Sequence, residues 1–435
     1  MVESISVETK RDKLNSARPV TSTFIGPGSA VPGMGDDDTP DYVIPPGGGV
    51  PWIDLSDEES HRPAERDIRI TDIKSATIQG NFTWHIVQVE TDAGITGIGE
   101  GRRAWNGPGR LEGENPLDVH RLLDLRSGAD DGVEMALWDI KGKVLEVPVY
   151  ELLGGKYRDA VRIYCDTHGG EALGEAQSED RDPREVYTPE SYARAAREVV
   201  DDGFEALKFD LDVKTHADVD TAAGRLDNEA IDHKVSLVEA VREEIGYDID
   251  LGFDLHWNFT VETATRLATR LEEYDLAWLE DPVSPTRYDA HRRVREATSV
   301  PILTGENLPD PDAFNHLLAA EGTDLAAPDL NNCGGIRNFV QIAHRCDLEG
   351  VPIAAHNIRS PIATVAAAHA CAAIPNFVAL EYHGREVPWW GEIATRTGEG
   401  GGIIEDGFVD LPEGPGLGIE LDEDVAAEHQ IGGEL

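Results

Sequence analysis

Residues 249–306 read IDLGFDLHWNFTVETATRLATRLEEYDLAWLEDPVSPTRYDAHRRVREATSVPILTGE, in which three short apolar runs alternate with two helix-period segments. Each run closes on a carboxylate: Asp254, Glu280 and Glu306. The pattern continues outward. DLAAPD (324–329), VPIAAH (351–356) and FVALE (377–381) close on Asp329, His356 and Glu381, so six such residues follow one another at intervals of 23 to 27. That interval is one strand plus one helix. Upstream, VRIYCD (161–166) and ALKFDLD (206–212) extend the series to eight strands with seven intervening helices. Repeated βα units at this spacing predict a (β/α)8 barrel whose final helix is missing or displaced. A doubly wound open sheet is the alternative, but nothing in that fold calls for functional residues at six consecutive strand ends.

Before the barrel pattern, IRITDIKSATI (68–78) and TWHIVQVETDAGITGIGEG (83–101) read as strands, with TDAG as a hairpin turn and Gly94 suited to positive φ. DDGVEMALWDIKGKVLEVPVYELLGG (130–155) reads as a helix ended by Pro148 and the Gly154-Gly155 pair. Residues 1–65 are rich in Gly, Pro, Asp and Ser and show no periodicity, which reads as an irregular arm with Trp52 and Ile53 as anchors. Two long segments, 167–187 and 213–228, follow strands and are expected over the active face, as pocket walls or as solvated acidic insertions.

The chain of 435 residues carries 83 acidic and 38 basic residues, a formal net charge of −45. Because the acids are scattered through strongly periodic segments, adaptation to a high-salt cytosol explains them better than a disordered tail does. An ordinary acidic enzyme is the other reading. Nucleic acid and anionic membranes are excluded as partners on charge, and no apolar run is long enough to span a bilayer. The N-terminus lacks the apolar segment of a secretory signal. Cys165, Cys333, Cys346 and Cys371 show no metal-type pairing, and Cys346 and Cys371 fit small core positions. A cytoplasmic location follows.

Asp254, Glu280 and Glu306 form an oxygen-only cluster that would repel itself unless a cation held it, and Mg²⁺ or Mn²⁺ suits such a set. His356, with Asp329 on the adjacent strand, has the partner that fixes a tautomer and raises basicity. His256 lies two residues beyond Asp254, so extended geometry through Asp-Leu-His would turn both side chains to the same face, opposite His356. A loop histidine bonded to backbone is the plainer reading. Lys208 either orients an anionic substrate group or pairs with Asp210 or a ligand carboxylate. Glu381 either binds substrate oxygens or serves as a structural acid. Together these parts suit removal of a proton α to a carboxylate, with a cation to stabilise the developing enediolate and a second histidine to protonate a β-hydroxyl leaving group.

On ALWDIKGKVLEVPVYELLGG (136–155), WLEDP (278–282), PDLNNCGG (328–335), AAHNIRSPIA (354–363) and PGLGIELDE (415–423), the chain resembles the enolase superfamily in its mandelate racemase subgroup. The resemblance implies a modified (β/α)7β barrel at 159–385, an α+β capping domain at 66–158, and a C-terminal segment, 386–435, that returns to the cap. It implies Mg²⁺ on Asp254, Glu280 and Glu306, a His356–Asp329 dyad and a substrate-binding Glu381. It also implies substrate-selecting loops from the cap, near Asn81–Trp84. The Asp254-x-His256 pattern is similar to galactonate dehydratase and related aldonic acid dehydratases, in which the matching histidine is the general acid. Racemases and cycloisomerases of the group carry Lys-x-Lys on the second strand, where this chain has Lys208-Phe209-Asp210. The expected protein is a homo-oligomeric acid-sugar dehydratase (galactonate, gluconate or xylonate type). A racemase or epimerase, or a non-catalytic acid-sugar-binding barrel, are the alternatives. Trp389 and Trp390 are expected to line the pocket or to pack the tail.

Overall fold

A computed structural model describes residues 67–107, 109–123, 131–169, 186–213, 224–398 and 401–435. The expected arm and its anchors Trp52 and Ile53, with most of the two long segments after strands, lie outside these residues. Ile68–Leu435 forms one compact unit.

The chain enters through an antiparallel meander of β1 (Ile70–Gln79), β2 (Thr83–Thr91) and β3 (Thr96–Gly101). Gly94, at φ 72°, takes the left-handed position in the β2–β3 turn, where a side chain would be strained. The helix Asp131–Leu145 lies against β3, and the approach is close because both surfaces carry glycine. A Cβ on Gly99 would fall 2.1 Å from the Gly132 carbonyl oxygen.

Eight parallel strands follow. The first four are β4 (Ala160–Thr167), β5 (Ala206–Asp210), β6 (Asp250–Asp254) and β7 (Trp278–Glu280). The rest are β8 (Ile302–Thr304), β9 (Leu325–Ala326), β10 (Ile353–Ala355) and β11 (Phe377–Tyr382). Each pairs with the next, and β11 pairs with β4 through Leu380–Ile163 and Glu381–Tyr164, so the barrel is closed. Seven helices, Pro189–Asp201 to Pro361–Ala372, connect successive strands among the described residues, and none of this kind follows β11. The predicted barrel without its last helix is therefore present. Its interior is filled by Tyr164, Ala206, Trp278, Leu303, Ala327, Ala354 and Ala379. Gly252 makes room for the Trp278 indole, since a Cβ there would lie 2.4 Å from Nε1.

Beyond the barrel, β12 (Ala394–Arg396) pairs with β14 (Ile419–Leu421), and β13 (Phe408–Asp410) runs antiparallel to β4. The last strand, β15 (Gln430–Glu434), joins the meander beside β1. Every position of the helix Pro361–Ala372 is buried, because it is enclosed between the barrel and β3. All four cysteines are buried and free. No helix among the described residues is long and apolar enough to cross a membrane.

Candidate active site

Register builds the site. Asp210 pairs with Asp254 across β5–β6, and Asp254 with Glu280 across β6–β7, which places acids at one level of the barrel. Glu306 follows β8 through Gly305, whose φ of 139° redirects the chain at the strand end. Asp254, Glu280 and Glu306 are buried and each offers an oxygen within 4.8 Å of the others. Glu280 Oε1 has no hydrogen-bond partner among the described residues. Burial and the neighbouring carboxylates push Glu280 well above the usual carboxylate range despite the nearby lysine. A hard, oxygen-only donor set with an unsatisfied buried oxygen fits a divalent cation such as Mg²⁺.

Lys208 sits one layer below and is almost fully buried. Its Nζ lies 2.8 Å from Glu381 Oε1, 3.0 Å from Glu280 Oε2, 3.2 Å from Asp254 Oδ2 and 3.6 Å from Asp166 Oδ2. Of the two pairings contemplated from sequence, with Asp210 or with a carboxylate of the acidic cluster, the second is the one formed, to Asp254 and Glu280, and Glu381 and Asp166 join it. Residues two apart on a strand lie at different levels, and Lys208 reaches towards the axis. Burial alone would lower the Lys208 ammonium, but the carboxylates around it raise it well above its ordinary value. Glu381, in turn, is held well below the carboxylate range, with burial opposing and Lys208 and His356 dominating. Its Oε2 also accepts from the Asn357 amide at 2.9 Å.

His356 Nδ1 donates to Asp329 Oδ2 at 2.7 Å. Asp329 Oδ1 accepts from the Asn332 amide at 2.6 Å, so the carboxylate is itself anchored. His356 Nε2 lies 3.3 Å from Glu306 Oε2 and 3.7 Å from Glu381 Oε2. Burial would lower this imidazole, yet Glu306, Glu381 and Asp329 carry it up to about 10.

His256 reaches the same cavity by a different route from the one expected. The chain does not stay extended beyond Asp254: the His256 amide folds back onto Asp254 Oδ1 at 2.7 Å. His256 and Trp257 take φ of 41° and 50°. This tight turn, rather than strand alternation, brings the imidazole over the acids. Its Nδ1 donates to Asp212 Oδ1 at 3.2 Å and its Nε2 stands 3.7 Å from Asp254 Oδ2. Burial opposes protonation, but Asp254, Asp212 and Asp210 push the group up to about 12.

His256 and His356 both line a cavity of about 310 Å³, together with Lys208, Asp254 and Glu306. Phe82, from the Asn81–Trp84 segment expected to supply a cap loop, lines it too, while Asp166, His168, Asn307, Asn332 and His383 escaped sequence reasoning. A signal for two of them was available. The acid-x-His spacing of Asp254/His256 recurs at the ends of β4 (Asp166/His168) and β11 (Glu381/His383). His168 Nδ1 donates to Glu386 Oε1 at 2.9 Å, and Asn81 of the β1–β2 turn donates to His383 Nδ1 at 2.9 Å. Phe82 packs edge-on against His383 at 5.0 Å. Trp389 and Trp390 do not line this cavity. Trp389 stacks on His429 of the tail, and Trp390 Nε1 donates to the Arg359 carbonyl.

Residues 191–425 match the family described as enolase C-terminal domain-like. Residues 117–154 match the mandelate racemase/muconate lactonizing enzyme N-terminal domain. The chain belongs to the enolase superfamily, in its mandelate racemase/muconate lactonizing enzyme group. Among relatives in this group, a D-xylonate dehydratase of Haloferax volcanii is 41% identical over 397 residues, covering 86% of this chain and 92% of that protein. A D-galactonate dehydratase of Xanthomonas oryzae pv. oryzae is 31% identical over 375 residues, covering 79% and 90%. A solved mandelate racemase/muconate lactonizing enzyme-like protein from Rubrobacter xylanophilus superposes with a TM-score of 0.78 at 36% identity, covering 84% of this chain and 98% of that one.

Proposed function

We propose that this enolase-superfamily member is a Mg²⁺-dependent hydro-lyase that dehydrates an aldonic acid, with D-xylonate and D-galactonate as the first substrates to try. The observation that carries the reading is the pair His256 and His356 on one cavity with the acidic triad and the buried Lys208. Dehydration needs one group to take a proton and another to give one, both beside a site that binds the substrate carboxylate. Similarity to xylonate and galactonate dehydratases supports the same reading.

Held by Asp254, Glu280 and Glu306, Mg²⁺ would offset their charge and place positive charge beside the substrate carboxylate. With the Glu306 charge that most raises His356 offset in this way, Nε2 is left free to take the C2 proton, and the bonding pair moves into the carboxylate to give an enediolate. Asp329 keeps the proton on Nδ1, so that Nε2 is the basic atom. Lys208, behind the carboxylate-binding face, and Glu381 set the local field in which that charge develops. Protonated His256 gives its proton to the 3-hydroxyl, the C3–O bond breaks, and water leaves. The resulting enol tautomerises to a 2-keto-3-deoxy acid. The excess of 83 acidic over 38 basic residues favours work in a high-salt interior, and four buried free cysteines suit a reducing cytoplasm.

The test is a panel of aldonic and aldaric acids with Mg²⁺ at molar KCl, read for 2-keto acid and for solvent deuterium at C2. Turnover should be lost with His356→Asn, and exchange at C2 with it. Configuration-inverted substrate without keto acid would instead mark a racemase. Folded, metal-loaded protein giving no product across the panel would overturn the reading.

A further inference from the structure

The strands that lead to Asp329 and His356 are each followed by a helix, and neither helix start is secured within the barrel alone. The helix Ile336–Leu348 has Gly335 as its N-cap, at φ 104°, with no capping side chain of its own. Its first amides are met instead by Glu134, 202 and 203 positions away in sequence. Ile336 N donates to Glu134 Oε2 at 2.9 Å and Arg337 N to Oε1 at 3.1 Å. Glu134 is fully buried on the helix Asp131–Leu145, where Trp138 Nε1 also donates to its Oε1 at 2.7 Å. A Cβ on Gly335 would come within 2.4 Å of Glu134 Oε2, so the glycine is what lets the carboxylate approach.

The helix Pro361–Ala372 repeats the arrangement. Its N-cap Ser360 accepts from the Ile362 amide at 3.2 Å. Both the amide and the hydroxyl of Ser360 donate to Glu100 Oε2, the former at 3.1 Å. Glu100 is fully buried near the end of β3, 260 positions away in sequence. Between these two caps, Asn331 donates to the Glu100 carbonyl and, at 3.1 Å, to Asp131 Oδ2. Three acid-bearing positions of the cap therefore grip the segments just after Asp329 and just after His356. Carboxylates at helix N-termini satisfy amides that have no intrahelical partner and are favoured by the helix dipole.

We propose that Glu134 and Glu100 are positioning residues for the Asp329–His356 dyad: capping-domain carboxylates hold both helix starts and thereby set where the two dyad residues stand. The inference rests on the dehydratase reading for its consequence in turnover, but not for its structural content. Glu134→Gln puts an amide donor against a backbone donor, because both carboxylate oxygens are in use. Glu100→Gln retains an acceptor for Ser360 and is the conservative variant, whereas Glu100→Leu removes it. Asp139→Asn is the control. It alters an equally buried acid on the same helix that accepts from Ile98 N and Leu417 N and touches neither segment.

The experiment combines backbone hydrogen exchange by mass spectrometry with steady-state kinetics on full-length protein. Glu134→Gln should raise exchange in 330–338 and Glu100→Leu in 356–362, with kcat down about 10- to 100-fold and KM within about twofold. Glu100→Gln should recover most of the rate, and Asp139→Asn should leave exchange in both segments and kcat near wild type even if the melting temperature falls. Unchanged exchange in Glu134→Gln, or raised exchange with an unaltered kcat, overturns the proposal. Wild-type protein inert towards every aldonic acid would sink the dehydratase reading instead, while exchange would still decide whether the caps hold the segments.

Discussion

His356 Nδ1 donates to Asp329 Oδ2 at 2.7 Å, although the two residues follow different strands and stand 27 positions apart. Removing the acceptor charge should leave the fold intact and the imidazole poorly oriented. Asp329→Asn is expected to lower kcat about 10²- to 10⁴-fold, with C2 deuterium exchange falling in parallel. Exchange at the wild-type rate would show that the pairing has no part in proton abstraction.

His256 occupies a different position in the reaction, so its loss should separate the two half-reactions. In His256→Asn, exchange at C2 should persist while 2-keto acid formation falls by about 10²-fold or more. Equal loss of both would remove its assignment as the acid.

Lys208 is enclosed by Asp166, Asp254, Glu280 and Glu381. Lys208→Met should cost metal-free protein about 3–5 kcal/mol, the typical consequence of leaving buried charges unpaired. Added Mg²⁺ should then raise the melting temperature more in the variant than in wild type. Scanning calorimetry with EDTA and with Mg²⁺ reads both terms. EDTA should also abolish wild-type turnover, with recovery on adding Mg²⁺.

A pH signature is expected at His168. Burial lowers this imidazole, but the hydrogen bond to Glu386, with Asp210 and Asp166 close by, carries it up to about 9. His383, packed against it, is pushed down to about 4, chiefly by burial and then by His168. A histidine raised above its unfolded value stabilises the fold below about pH 6.5, and that stabilisation is lost as pH rises through about 9. His168→Gln should therefore lose about 1–2 kcal/mol relative to wild type at pH 6 and markedly less at pH 9.5. A pH-independent difference in chemical denaturation would contradict the pairing.

Self-repulsion from a formal charge of −45 should make stability depend on salt. Screening shortens from about 10 Å at 0.1 M to about 3 Å at 1 M ionic strength, so the melting temperature should climb steeply between 0.1 and 2 M KCl. A flat response would point to an ordinary acidic enzyme.

The barrel was legible because burying parallel strands on both faces demands apolar runs, and the connecting helices set a period near 25 residues. Asp254, Glu280, Glu306, Asp329, His356 and Glu381 were legible for the same reason, since each ends such a run. His256 was found through a wrong local geometry. Strand alternation predicted its direction, whereas a left-handed turn held by the Asp254 carboxylate provides it. His168 and His383 carried the same spacing signal, but the partners that bring them to the cavity, Glu386 and Asn81, lie 218 and 302 positions away.

The sequence by itself determined the barrel, the triad and the dyad, because periodicity and strand-end position are local properties of the chain. Only the tertiary structure decided which carboxylates share Lys208, how His256 turns inward, and that the cap secures the helix starts behind Asp329 and His356. The shared lysine and the secured helix starts depend on hydrogen bonds between residues 46 to 260 positions apart, and burial makes them costly to leave unsatisfied, whereas the His256 turn closes on Asp254 only two positions away.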